Sequence, residues 1–398
     1  MTRPIARVST GLDAWVEGRF DALRGLRVGV IANQSTVDRR LVHIADHLRA
    51  APGVTLAALF GPEHGIRGDA QDMIGVAADL DPRTGVPVHT LYGPTLASLT
   101  PADEQLEGLD ALIFDVQDVG SRYYTFAATM LYAMKAASRR GLRFFVLDRP
   151  NPIGGVAVEG PTLRPGFGSF VGPHPVPIRH GMTIGELARL FRADWAIDLD
   201  LTVVPCRGWS RAMHWPGTGL PWVMPSPNMP TPDTALVYPG GCLIEGTNLS
   251  EGRGTTRPFE LWGAPWLDPV ALAGSAPPDG GFLPRACAFR PTFHKHAGRT
   301  CFGVQPHVDD PTAFRPVRFT TAMIAAARAQ RPDLFAWRRE SYEFVVEPIA
   351  IDLLYGSDRE RLLIEAGPTP GDLADLWDLW AVEERDFRSR RAPHLLYD

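Results

Sequence analysis

Cysteine is scarce in this chain of 398 residues: there are four, Cys206, Cys242, Cys287 and Cys301. None forms a C-x-x-C pair, which removes the common zinc and redox spacings. Four reduced, mostly buried thiols are expected, with a Cys287–Cys301 bridge as the alternative. Charge of one sign is also in short supply. The formal net charge is −5, and no Lys/Arg block stands out. Such a chain has no electrostatic footprint for nucleic acid. No apolar run reaches the roughly 18 residues of a membrane-spanning helix. The opening MTRPIARVSTGLDAW lacks the apolar core of a signal peptide. The expected compartment is therefore the cytoplasm, or outside if an export signal precedes this sequence. The first predicted strand runs into ANQSTVD, where a dinucleotide site needs G-x-G-x-x-G, and there is no Walker A motif. No cofactor is expected. Neither an HxH nor an HExxH grouping is read beside the acids of the strand ends, and those acids alternate with arginines that would oppose a cation, so no metal is expected.

What is present is an ordinary globular composition, with 45% hydrophobic and 21% charged residues. The first 150 residues alternate strand and helix patterns. LRVGVIAN (26–33), VTLAALF (54–60), LDALIFDV (109–116) and LRFFVLDRP (142–150) read as strands. LVHIADHLRA (41–50) and YTFAATMLYAMKAASRRG (124–141) have helical spacing. Continuous apolar strands between helices indicate a parallel sheet covered on both faces. Thr183 and Glu186 have capping-box spacing, so a helix starts there, and LDLTVVP (199–205) adds a strand. From about residue 260 the pattern changes to antiparallel alternation over 286–308, followed by helices over 319–330 and 372–387. The fold class is α/β: a Rossmann-like open parallel sheet domain over 1–259, then a smaller α+β domain over 260–398.

In an open α/β sheet the ligand sits beyond the carboxyl ends of the strands. Those ends carry Asn33, Gln34 and Ser35; Glu63, His64 and Arg67; Asp115, Gln117, Asp118, Arg122 and Tyr123; and Asp148, Arg149 and Asn151. The stretch FGPEHGIRGDAQD (60–72) puts Glu63 and His64 among glycines directly after an apolar strand. A second dense stretch, EGTNLSEGRGTTRPFELWGAPW (245–266), supplies Glu245, Asn248, Glu251 and Arg253. Three uses of such a rim compete: glycoside hydrolysis, a hydrolytic metal site of Asp115, Asp118, Asp148 and His64, and sugar or peptide binding without catalysis. Trp209, Trp215 and Trp222 suit sugar faces, with core packing as the alternative.

IANQSTVD, LFGPEHGIRGDAQ, FDVQDVGSRYYTF, LDRPNPIGGVAVEGP, PIRHGMTIGELA, PSPNMPTPDTALVYPG and EGTNLSEGRGTTRPFE occur in that order. Together they resemble the exo-β-N-acetylmuramidases. The resemblance implies an exo-acting glycosidase that releases N-acetylmuramic acid from the non-reducing end of peptidoglycan fragments. It also implies a Rossmann-like domain and a smaller domain with the site between them. It makes Glu63 the catalytic glutamate, with His64 positioning it. The substrate carries a lactyl carboxylate, for which Arg67, Arg122 and Arg253 are candidate clamps. Its 2-acetamido group needs a carboxylate partner in an assisted mechanism, and a direct route needs a base; Asp115 or Asp118 is the candidate for either. Asn33, Tyr123, Asn151, Asn228, Glu245, Asn248 and Glu251 complete the expected substrate contacts. Glu63 and the 245–253 loop are expected to share one pocket.

Overall fold

The computed structural model describes residues 8–67, 79–278 and 280–398. Asp69 and Asp72 of the glycine-rich stretch lie outside the described residues.

The main sheet has seven strands. In chain order they are β1 (Arg27–Ala32), β2 (Thr55–Gly61), β3 (Asp79–Leu80), β4 (Pro87–Thr90), β5 (Ala111–Asp115), β6 (Arg143–Leu147) and, after a small hairpin, β9 (Leu201–Val204). Across the sheet the order is β3-β4-β2-β1-β5-β6-β9. All pairings are parallel except that of the short edge strand β3 with β4. The central strands are buried on both faces, as their unbroken apolar runs predicted. Helices Gly11–Glu17 and Ile44–Ala50 bury Leu12, Trp15, Ile44 and Leu48 against one face. Helices Phe126–Arg139 and Ile184–Asp194 cover the other. The Thr183–Glu186 capping box is present at the start of the latter.

The hairpin pairs β7 (Glu159–Thr162) with β8 (Pro177–Arg179). The C-terminal part holds the antiparallel sheet β10-β12-β11, with β10 at Trp262–Ala264, β11 at Phe282–Phe289 and β12 at Cys301–Val308. Helices Pro316–Gln330 and Pro370–Arg391 accompany it. One buried apolar cluster runs from Phe114 and Phe144 of the main sheet to Phe319, Leu353 and Trp380. The two parts are thus packed core to core, and this holds a C-terminal loop over the ends of the parallel strands. All four cysteines are free and buried, so Cys287 and Cys301 are not bridged.

Candidate active site

Glu63 owes its position to a tight turn after β2. Gly65 N–H donates to the Pro62 carbonyl at 2.9 Å, and His64 and Gly65 both adopt left-handed backbone, with φ 72° and 77°. For histidine that conformation costs about 1–3 kcal/mol, tolerated where the surroundings fix it. A Cβ at Gly61 would come within 2.9 Å of the Ile66 nitrogen, so only glycine lets the chain fold back so closely. The turn buries Glu63 to 7% exposure. Thr125 Oγ1 then donates to Glu63 Oε2 at 2.7 Å. Thr125 is the N-cap of the helix Phe126–Arg139 and makes no capping bond with its side chain. Its hydroxyl is committed to the glutamate.

Glu63 and His64 form one side of an enclosed pocket with Tyr123, Tyr124 and Thr125. Ser226, Asn228, Tyr238 and Phe259 also line it, and Glu245, Arg253, Tyr342 and Glu343 join them from the C-terminal part. The residues near 63 and the loop near 245–253, almost two hundred positions apart, therefore line the same cavity. Glu245 and Arg253 are the members of that loop that line it. The cavity measures about 50 Å³, well below the roughly 300–1,000 Å³ of small-molecule sites.

The far wall is a charge ladder. Glu245 accepts from Arg253 Nη2 at 2.6 Å and from the Tyr342 hydroxyl at 2.7 Å. Arg253 Nε lies 3.4 Å from Glu251, which also meets Lys295 at 2.9 Å and His294 at 3.2 Å. Burial alone would raise the Glu251 carboxyl, but Lys295, His294 and Arg253 outweigh it and hold it below its ordinary range. Glu251 stands behind the wall as a brace for Arg253. Glu343 accepts from the Tyr92 hydroxyl at 3.0 Å.

Several expected contacts lie elsewhere. Asp115 is fully buried and bound by Arg149, whose Nη2 donates to its Oδ2 at 3.0 Å. Asp118 accepts from Gly120 N–H at 2.7 Å and faces His180 Nε2 at 3.8 Å. Burial pushes Asp118 up to about 7 and His180 down to about 3, favouring the uncharged form of each. Asp148 receives Thr183 Oγ1 at 2.7 Å and Gly185 N–H at 2.8 Å. The three aspartates are thus spent on different partners and do not converge with His64 on one point. Among the described residues no group of three or more ligating side chains is placed to hold a metal. One H-x-H triplet does exist, His294–Lys295–His296. It serves structure, with His294 on Glu251 and His296 Nε2 2.8 Å from the Asn248 carbonyl.

The arginine clamp is corrected at two of its three positions. Arg122 is buried, and its guanidinium donates to the carbonyls of Pro161 at 2.9 Å, Val176 at 2.8 Å and Leu354 at 2.6 Å. It staples three segments together. Arg67 pairs with Asp81 outside the pocket wall. Only Arg253 lines the cavity. The amides divide similarly. Asn228 lines the pocket. Asn33 donates to the Pro225 carbonyl at 3.0 Å, holding the loop that presents Ser226. Asn151 donates to Met182 at 3.0 Å, and a Cβ at Gly120 would strike it at 2.5 Å. Asn248 clips the chain at Leu334 and Ala336. The tryptophans take the core alternative: Trp209 packs on Tyr397, and Trp215 packs edge-on against Trp222 at 4.9 Å.

Sequence reasoning missed Thr125, Ser226, Tyr342 and Glu343. Thr125 was hidden in a helical pattern. Glu343 and Phe344 have left-handed backbone at φ 45° and 68° with no glycine or asparagine to announce it.

The chain matches two family models in succession. These are Exo-beta-N-acetylmuramidase NamZ, N-terminal, over residues 28–233, and its C-terminal counterpart over residues 236–397. It is 44% identical over 395 residues to a peptidoglycan beta-N-acetylmuramidase of Bacillus subtilis strain 168, covering 98% of this chain and 92% of that protein. Two crystal structures of DUF1343 family proteins from Bacteroides fragilis are similar. One has a TM-score of 0.87 and 33% identity, with 99% of this chain and 100% of the other covered. The second has a TM-score of 0.76 and 29% identity, covering 98% and 99%. A carboxylic acid in an enclosed pocket, an α/β sheet presenting it and both family domains in order agree, and the chain belongs to the exo-β-N-acetylmuramidase NamZ family.

Proposed function

We propose that this chain is an exo-acting glycosidase that releases N-acetylmuramic acid from the non-reducing end of peptidoglycan fragments, with Glu63 as the proton donor. The observation that carries this reading is the placement of Glu63, buried, fixed by Thr125 and lining one cavity with Glu245 and Arg253. Departure of a sugar alkoxide needs a proton on the glycosidic oxygen, and a positioned acid supplies it at about 10²–10⁴-fold in rate. His64 shapes the turn that aims the acid. Glu245 replaces Asp115 and Asp118 as the second carboxylate, because it is the acid braced across the cavity by both Arg253 and Tyr342. It orients the 2-acetamido group or activates water. Arg253 recognises the lactyl carboxylate that distinguishes muramic acid from N-acetylglucosamine.

An exo-acting enzyme removes one terminal residue at a time. Incubation with a muramic acid–glucosamine disaccharide and with longer alternating chains tests this. Free N-acetylmuramic acid should accumulate from the first time points, without internal cleavage products. Early oligosaccharides of mixed length would overturn the exo assignment. The anomer first released, read by proton NMR, separates the two roles of Glu245: retention for acetamido assistance, inversion for an activated water.

A further inference from the structure

A second cavity of about 410 Å³ lies outside the Glu63 pocket, among the turn after Asn151, strand β8 and the helix Pro370–Arg391. Its volume falls within the roughly 300–1,000 Å³ of small-molecule sites. Among the described residues its charged lining is Arg179, Arg211, Arg315 and Arg388 with His214 beside them, and Asp310, next to the lining residue Pro311, acts on His214 from the cavity's edge. The acids stand behind the arginines. Glu186 pairs with Arg211, and Glu384 lies 3.7 Å from Arg388.

Arg179 is the anomaly. It is 1% exposed. Its Nη2 donates to the Ile153 carbonyl at 2.7 Å, but Nε and Nη1 have no hydrogen-bond partner. Glu159, opposite it in the hairpin, turns one oxygen to the Arg318 amide at 2.9 Å and leaves the other unpartnered. His214 Nε2 is a third buried, unpartnered atom on the same cavity. An arginine buried with two idle donors costs stability unless something accepts from them. The rest of the wall, Ile153, Val156, Ala157 and Pro311, is apolar.

We propose that this cavity is a binding site for a small organic anion, a phosphate or carboxylate on a compact carbon frame. Its oxygens accept from Arg179 and His214, and its frame lies on the apolar wall. Arginine suits such groups because its fork matches their paired oxygens. The site also touches the catalytic segment through the backbone: Arg179 bridges Ser121, and Ser121 precedes Thr125 by four positions. An occupant would brace the segment that carries Thr125, the partner of Glu63.

The test is isothermal titration at fixed ionic strength with three probes: inorganic phosphate, glucose 6-phosphate and succinate. The chain is used whole. One saturable site per chain is expected, with glucose 6-phosphate or succinate about tenfold or more tighter than inorganic phosphate. His214→Ala and Arg315→Ala, both on half-buried residues, should each weaken it about tenfold or more. Arg253→Met should leave it in place, since Arg253 belongs to the other cavity. Arg179→Gln should abolish it, with circular dichroism checking that this variant folds; the other two wall variants decide the matter if it does not. Absence of saturable binding by all three probes overturns the proposal. So does binding lost in Arg253→Met and kept in His214→Ala and Arg315→Ala. Binding of phosphate with no gain from a carbon frame overturns the organic assignment.

Discussion

Replacing Arg253 by Met removes the central rung of the charge ladder, and its consequences can be worked out separately for fold and for substrate. Glu245 would lose its 2.6 Å contact and keep the Tyr342 hydroxyl at 2.7 Å. Glu251 would keep Lys295 at 2.9 Å and His294 at 3.2 Å. Breaking a buried pair from one side costs about 3–5 kcal/mol, because an uncompensated charge remains. The surviving partners put this case near the lower end, at about 3 kcal/mol. Urea unfolding should report that loss as a lower midpoint at unchanged slope. The substrate effect is separate. If Arg253 holds the lactyl carboxylate, one charge-assisted hydrogen bond of about 1.5–3 kcal/mol disappears, which is roughly 10–150-fold in kcat/KM. A chromogenic N-acetylmuraminide should suffer that loss, and the matching N-acetylglucosaminide, which has no lactyl group, should not. Arg253→Lys keeps the charge but loses the fork and should recover only part of the preference. A variant of lowered stability with an unchanged ratio between the two glycosides would refute the recognition role and leave Arg253 as a brace.

Two other outcomes follow from the buried groups. Burial raises Asp118 above its unfolded value to about 7, so its contribution to stability is complete below about pH 4 and is lost as pH rises through 7. Asp118→Asn should therefore make the urea midpoint fall less between pH 4.5 and 7.5 than in the parent; an equal fall in both would refute that assignment. Arg122→Met should lower the thermal midpoint, since three carbonyls lose a charged donor, each such bond being worth about 1.5–3 kcal/mol. KM should stay unchanged in that variant, and a raised KM at intact stability would restore the clamp reading.

The sheet was legible because its strands are buried on both faces, and such strands announce themselves as unbroken apolar runs between helices. The capping box at Thr183 was legible for a local reason, a three-residue spacing. Glu63 was legible because glycine and charge after a strand mark a site loop. Its surroundings were not. Asp115, Arg122 and Asn151 sit at the strand ends just as Glu63 does, yet each is consumed by a partner dozens of positions away, and no local pattern records which. Tyr342 and Glu343 reach the pocket because the C-terminal part packs on the same core, a tertiary fact without a motif. Arg253 shows the mixed case. Its glycine-rich loop was visible, whereas Lys295 and His294, which hold its partner Glu251, were not.

The most direct measurement of the central claim is the turnover of Glu63→Gln on a pair of β-N-acetylmuraminides, one with a poor leaving group and one with a good one. The amide keeps the size of the side chain and a place for the Thr125 hydroxyl, but it has no proton to give. A loss of about 10²–10⁴-fold is expected on the poor leaving group, with much of it restored on the good one, which departs with little protonation. Turnover near that of the parent on both substrates, in a protein whose circular dichroism is unchanged, would contradict Glu63 as the acid.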